Sequence, residues 1–200
     1  MSRLLESIRI SNQKIHNLAY HQARLDIVQK TNYQGFTAID LSKILSKKVP
    51  FLHPHRVFKC RVLYGEGLEK IEFHPYTPKP ISTLKIVHST TIQYSHKWEN
   101  RAVINALYAE RQDCDDVLII KKGMVTDTSY CNIVFGDGQI WWTPARPLLA
   151  GTQRAKLLAE KRIQEKEIKL GDIRQFQAFK LINSMLPLEE AAEIPVSHIQ

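Results

Sequence analysis

The sequence predicts an α+β fold in two small domains, and three observations carry that reading. Segments with strand-like and helix-like apolar spacing come in runs, without strict alternation of strand and helix. A proline-rich stretch, His74-Pro75-Tyr76-Thr77-Pro78-Lys79-Pro80, is extended and stiff, and it divides residues 1–78 from residues 79–200. A chain of 200 residues, 44% apolar and 24% charged, is long enough for one sizeable core or two small ones.

In the first domain, Leu4 to Ile10 mixes apolar and polar residues, Asn12-Gln13-Lys14 interrupts, and Ile15 to Leu18 resumes, which reads as a hairpin. Tyr20 to Thr31 sets Leu25 and Val28 on one helical face. A short helix follows from Asp40 to Lys48, and Pro50 and Pro54 forbid its continuation. Val57, Cys60, Val62 and Tyr64 precede Gly65-Glu66-Gly67, and Ile71 and Phe73 follow, giving two strands about a turn.

The second domain opens with a strand at Leu84-Lys85-Ile86-Val87. A helix spans Trp98 to Gln112, with Ala102, Ala106 and Ala109 as strong helix formers. Val117 to Ile120 is an apolar strand that turns at Gly123. Asn132 to Phe135 and Gln139 to Thr143 form a hairpin through Gly136-Asp137-Gly138. Thr152 to Lys166 reads as an amphipathic helix with Leu157 and Leu158 inward, and Phe179 to Ile182 as the last strand.

Composition narrows the function. No apolar run approaches the roughly 20 residues that span a bilayer. The opening MSRLLESIRI lacks the apolar middle of a signal peptide. A cytoplasmic protein without a membrane partner is expected. Cys60, Cys114 and Cys131 are odd in number and widely spaced, which argues against disulfides and against a metal site. A net charge of +8 and a pI near 9.4 suit anionic partners. The basic residues are scattered and no aromatic-basic nucleic-acid motif occurs, so small anionic ligands are favoured over nucleic acid.

Four patches carry candidate chemistry, and each has a plain alternative. Lys97, in His96-Lys97-Trp98-Glu99-Asn100-Arg101 at a helix start, is placed for a Schiff base if Arg101 and Trp98 depress its pKa; the alternative is a solvated lysine. Asp127, in Thr126-Asp127-Thr128-Ser129-Tyr130-Cys131-Asn132, suits a carboxylate that keeps the ring nitrogen of pyridoxal phosphate protonated; the alternative is a turn aspartate. Leu149-Ala150-Gly151-Thr152-Gln153-Arg154 opens a helix whose backbone amides suit phosphate, or is simply a helix start capped by Thr152. Arg24, in His21-Gln22-Ala23-Arg24-Leu25, suits bidentate phosphate binding, or is a surface arginine.

Taken in order, these patches resemble the class IV aminotransferase family. Its members carry H-x-x-R-L, a Schiff-base lysine, T-E-x-x-x-x-N, then T-P and L-x-G-x-x-R. This chain has His21 to Leu25, Lys97, Thr126-Asp127 to Asn132, Thr143-Pro144, and Leu149 to Arg154. The resemblance implies a small N-terminal α/β domain and a larger C-terminal domain with pyridoxal 5'-phosphate between them, in a homodimer. It makes Lys97 the catalytic lysine, Arg24 a phosphate ligand and Asp127, with Asn132 in the same motif, the partner of the ring nitrogen. Gly151 and the amides of Thr152 and Gln153 hold phosphate at the helix start. Ser184, in Asn183-Ser184-Met185, is a further donor. Asp127 stands where most members have Glu, and Gln153 where many have Thr.

Within the family, Lys97 to Arg101 and Asn183 to Leu188 are most similar to aminodeoxychorismate lyase, which releases p-aminobenzoate and pyruvate. A D- or branched-chain amino-acid aminotransferase is the second reading, and a non-catalytic binding protein on the same scaffold the third. Arg61, Tyr76, Tyr94 and Arg101 are the candidates for binding a substrate carboxylate, and spacing does not rank them.

Overall fold

The computed structural model describes residues 3–49 and 52–200, so the helix-stopping role given to Pro50 lies outside the described residues. The chain divides into two compact units. One comprises Met1–Pro78 with His96–Asn100, and the other Lys79–Ser95 with Arg101–Gln200. The short segment around Lys97, expected with the second domain, thus belongs to the first unit.

In the first unit, β1 (Leu4–Ser11) turns back into β2 (Lys14–Ile15), and β3 (Phe58–Tyr64) turns into β4 (Leu68–Pro75). They form one sheet in the order β2-β1-β3-β4. Asn12 and Gln13 both take positive φ, 49° and 57°, the twist that a tight hairpin requires. β4 has a sheet edge and carries Glu69, Lys70 and Glu72, charges that discourage further pairing. Strand alternation puts Leu4, Glu6, Ile8 and Ile10 on one face of β1, all buried. Helix α1 (Leu18–Asn32) sets Leu25 and Val28 against that apolar row. α2 (Leu41–Ser46) starts on Asp40, whose side chain accepts from the Lys43 amide at 2.8 Å.

The expected helix from Trp98 begins later. α3 covers Ala102–Ala109 only. The residues before it are extended because β1 takes them: Leu4 bridges to Trp98, the Leu5 amide donates to the Lys97 carbonyl at 2.9 Å, and the Glu99 amide to the Arg3 carbonyl at 2.9 Å. Lys97 is therefore held on a strand edge, not at a helix start.

The second unit is an eight-stranded sheet built from β5 (Leu84–His88), β6 (Asp116–Lys121), β7 (Met124–Thr128), β8 (Asn132–Gly136), β9 (Trp141–Pro144), β10 (Gln164–Lys166), β11 (Ala178–Ile182) and β12 (Ile194–Pro195). β5 runs parallel to β6, and β6 turns into antiparallel β7 through Lys122 and Gly123, both at positive φ. β8 is buried along its whole length and pairs with β7, β9 and β11. Its Ile133-Val134-Phe135 run is continuous rather than alternating because both faces are covered.

The helix expected over residues 152–166 stops early: α4 is Thr152–Ala159. Lys161 takes φ 56°, and the amides of Lys161 and Arg162 return to the carbonyls of Leu158 and Leu157 at 3.0 and 2.9 Å. This left-handed C-terminal cap turns the chain into β10, which pairs parallel with β9. β11 is also not the last strand, since β12 pairs with it.

Leu25 is fully buried on α1 against the β1 row. Leu25→Ala is expected to cost about 2–5 kcal/mol, read as an earlier denaturant midpoint at unchanged slope. A loss under about 1 kcal/mol would show that α1 is not sealed onto the sheet.

Candidate active site

In the first unit, β1 and α1 bring three charged or polar side chains together inside an apolar layer. Glu6 is fully buried. Its Oε1 accepts from Arg24 Nε at 2.8 Å, and its Oε2 from Arg24 Nη2 at 2.5 Å. Nδ1 of His21, also fully buried, lies 2.5 Å from Oε2. His21 and Arg24 stand three residues apart on one helix face, so both reach the same carboxylate. Burial alone would raise the Glu6 carboxyl, but the Arg24 charge and the His21 bond outweigh it and hold Glu6 at about 2. Burial pushes His21 down, more than the bond to Glu6 lifts it, and the charges of Arg24 and Lys97 push the same way. His21 is thus a neutral ring that donates Nδ1–H to an ionised Glu6. Lys97 itself is half-buried.

In the second unit, Asp127 and Asn132 are register partners across the turn at 128–131, so the five-residue spacing of the motif is that of a tight hairpin. Asn132 Nδ2 donates to Asp127 Oδ1 at 2.7 Å and to the Leu149 carbonyl at 2.9 Å. The Leu149 amide donates to Asp127 Oδ2 at 2.9 Å. Burial pushes Asp127 up to about 6, against the opposing pull of these donors. Its partners are neutral, and Arg154 adds only a lesser charge effect.

Gly151 leads into α4, and the reason is steric rather than conformational. Its φ is an ordinary −70°, but an added Cβ would lie 2.0 Å from Asn132 Oδ1. Arg154, from the same motif, is buried and donates to the Pro144 carbonyl at 2.9 Å and to Glu165 at 2.6 Å. It ties α4 to β9 and β10. Thr152 and Gln153 are buried in the first turn of that helix. Ser184 lies in a turn organised by Asn183, whose side chain accepts from the Met185 and Leu186 amides and reaches Cys131 Sγ at 3.1 Å. The Ser184 turn is thereby fixed to the 128–131 turn.

The carboxylate-binding candidates separate. Arg61 alternates with the buried Cys60 and Val62, so it lies on the sheet face opposite Glu6, where it pairs with Glu72 at 2.9 Å. Tyr76 follows β4, under Lys59 Nζ, which is 5.5 Å from its ring centre. Tyr94 is nearly buried. Arg101 stacks on Tyr130, 4.2 Å from the ring centre, and donates to the Ser129 carbonyl at 2.7 Å, so it orders the turn after Asp127.

Two participants escaped the sequence reading. The Leu149 amide has no side-chain signature. Glu6 has one: a carboxylate at the second position of the apolar row Leu4, Glu6, Ile8, Ile10 must find a partner if that row is buried. Among the described residues no group of His, Cys, Asp and Glu is arranged to hold a metal ion, and Cys60, Cys114 and Cys131 form no disulfide.

Two measurements check this geometry. With its pKa raised from 3.8 to about 6, Asp127 favours folding in its protonated form. Its contribution is present below about pH 4 and is lost as pH rises through 6. The stability difference between wild type and Asp127→Asn should change across that window and be flat above about pH 7. A flat difference from pH 4 upward would mean a solvated carboxylate. Gly151→Ala should break the Asn132 bonds and cost about 1–3 kcal/mol. A neutral effect would show that the loop yields freely.

Residues 3–194 match the family model for amino-transferase class IV. An uncharacterized protein of Haemophilus influenzae is 39% identical over 186 residues, 92% of this chain and 98% of that protein. A Haemophilus somnus crystal structure, provisionally assigned as a 4-amino-4-deoxychorismate lyase, is 36% identical, with 94% of this chain and 98% of that one covered and a TM-score of 0.89. The pyridoxal-phosphate-bound form of a hypothetical aminotransferase from Mycobacterium tuberculosis shares the fold at a TM-score of 0.75, with 18% identity over 96% of this chain and 80% of that one. The chain belongs to the class IV aminotransferase family.

Proposed function

We propose that the protein is a pyridoxal-phosphate enzyme that cleaves an aminodeoxychorismate-like substrate to p-aminobenzoate and pyruvate. The observation that carries the lyase reading is the 36% identity, over nearly all of both chains, to the Haemophilus somnus protein provisionally assigned that activity. The cofactor of the family is pyridoxal 5'-phosphate. When bound, it supplies an electron sink that stabilises negative charge at the substrate carbon.

The residues of this chain fit that group. Asp127 is a buried carboxyl held by Leu149 and Asn132 and still accepting of a proton near neutral pH, so it suits a hydrogen bond with a ring nitrogen. Arg24 brings a guanidinium of fixed orientation for phosphate. In the second unit, the amides of Thr152 and Gln153 at the start of α4, Gly151 and the Ser184 hydroxyl are neutral groups that suit a phosphate. Lys97 is the residue that would hold the group through its amine and, once released from it by the substrate amine, would move protons as base and acid. The lyase substrate carries carboxylates, in keeping with a net charge of +8. Arg101, beside the 128–131 turn, is our choice among the carboxylate-binding candidates, since Arg61 is paired with Glu72 on the far face of its sheet. We place the activity in a homodimer in the cytoplasm.

The test is direct. Purified protein should be yellow with bound cofactor, and borohydride should fix that cofactor on the peptide holding Lys97. It should release p-aminobenzoate and pyruvate in equal amounts. Lys97→Ala should fold and lose both colour and turnover. Keto-acid formation from D- or branched-chain amino acids without p-aminobenzoate would replace the lyase by an aminotransferase. Labelling of another lysine would remove Lys97 from the reaction.

A further inference from the structure

The row Leu4, Glu6, Ile8, Ile10 poses a question that core packing does not answer. Three members seal α1 onto the sheet, and an apolar residue at position 6 would serve that end better than a carboxylate. Exchanging a buried ion pair for apolar side chains is often neutral or stabilising. What Glu6 supplies is direction. It grips Arg24 by the Nε and Nη2 edge, in the two-bond geometry that fixes a guanidinium plane. The carboxylate itself is set by a strand paired along β3, with Glu6 opposite Val62. The Arg24 side chain keeps 15% exposure, whereas that of Glu6 keeps none.

We propose that Glu6 is a positioning residue for the phosphate end of the cofactor: it orients the Arg24 guanidinium and holds the His21 ring at Nδ1. The proposal rests on the roles given to Arg24 and Lys97 above.

The charges around Glu6 are consistent with this assignment. From α1 come Arg24 and His21. From β3 comes Tyr64, whose hydroxyl is pushed up by burial and by Glu6 and so stays neutral. From the extended segment 96–100 comes Lys97, whose charge reaches His21. With Glu6 ionised, the Arg24 charge is balanced by the carboxylate beside it, and both Arg24 and Lys97 act on the same His21 ring. Loss of the carboxylate has two opposite consequences. An unbalanced Arg24 attracts phosphate more strongly, whereas an unoriented one binds it less well. Orientation dominates if Glu6 is a positioning residue, because a side chain that must be ordered on binding loses affinity.

The experiment compares pyridoxal 5'-phosphate with pyridoxal, which lacks the phosphate, in wild type, Glu6→Gln, Glu6→Asp, Arg24→Ala and the double variant Glu6→Gln/Arg24→Ala. In Glu6→Gln the preference for the phosphorylated form should fall about tenfold, with pyridoxal binding little changed. Adding Glu6→Gln to Arg24→Ala should lower it no further, as expected for residues acting through one contact. The pH at which the visible band of the Lys97-bound cofactor titrates should also fall in Glu6→Gln, a shift that a purely structural residue would not cause. Glu6→Asp keeps the charge with a shorter reach. It should retain the wild-type titration and lose part of the phosphate preference, and it serves alone if Glu6→Gln does not fold. An unchanged or increased preference in the variants, or equal loss of both ligands, would overturn the proposal. If wild type itself binds no pyridoxal 5'-phosphate, or binds it without Lys97, it is the functional reading that fails.

Discussion

Taking a carboxylate out of water costs several kcal/mol, and the candidate-site residues of each unit are arranged around one such group, Glu6 in the first and Asp127 in the second. The two solutions differ. Glu6 is answered by charge: a guanidinium on two atoms and an imidazole N–H, which together hold it ionised at about 2. Asp127 is answered by neutral donors, a backbone amide and a side-chain amide, and burial wins, leaving it near 6. One carboxylate is a permanent anion suited to holding a cation in place. The other stays within reach of protonation, as a group that shares a proton must.

Much of the local architecture follows from satisfying these two groups. His21 and Arg24 must lie on one face of α1, and that face must meet the β1 row bearing Glu6. Around Asp127 the requirements are tighter. Asn132 serves Asp127 and Leu149 at once, so its side chain has one usable orientation, and that orientation occupies the space where residue 151 would have a Cβ. The glycine is thus a consequence of the carboxylate. Arg154 then holds the helix that follows, bonded to β9 and β10.

The helix and strand content was legible where apolar periodicity is local: the β1–β2 hairpin, α1, α2, the β3–β4 hairpin, β5, β6 and the β8–β9 pair. The failures share a cause. Trp98 and Glu99 have adequate helix propensity but lie beside the start of β1, where the backbone of residues 3–5 takes the hydrogen bonds of residues 97–99. Residues 160–166 continue an amphipathic pattern, yet Lys161 adopts a left-handed conformation and the chain joins β9 as β10. Both are cases of a distant strand outweighing a propensity of a few tenths of a kcal/mol per residue. The short β12, two residues long, has too little sequence to carry a signal.

The candidate site divides along the same line. By itself the sequence determined which residue types stand at which spacing: Arg24 three residues after His21, Asp127 five before Asn132, Gly151 at a helix start, and Lys97 between them. Periodicity and hairpin geometry act over a few residues, and such spacings express them directly. Only the tertiary structure decided that Glu6 meets His21 and Arg24, that the Leu149 backbone serves Asp127, and that Arg61 faces away from Glu6. These are pairings across strands and loops, set by which buried groups can satisfy one another once water is excluded. A buried charge announces in the sequence that it needs a partner; only the packed fold shows which residue answers.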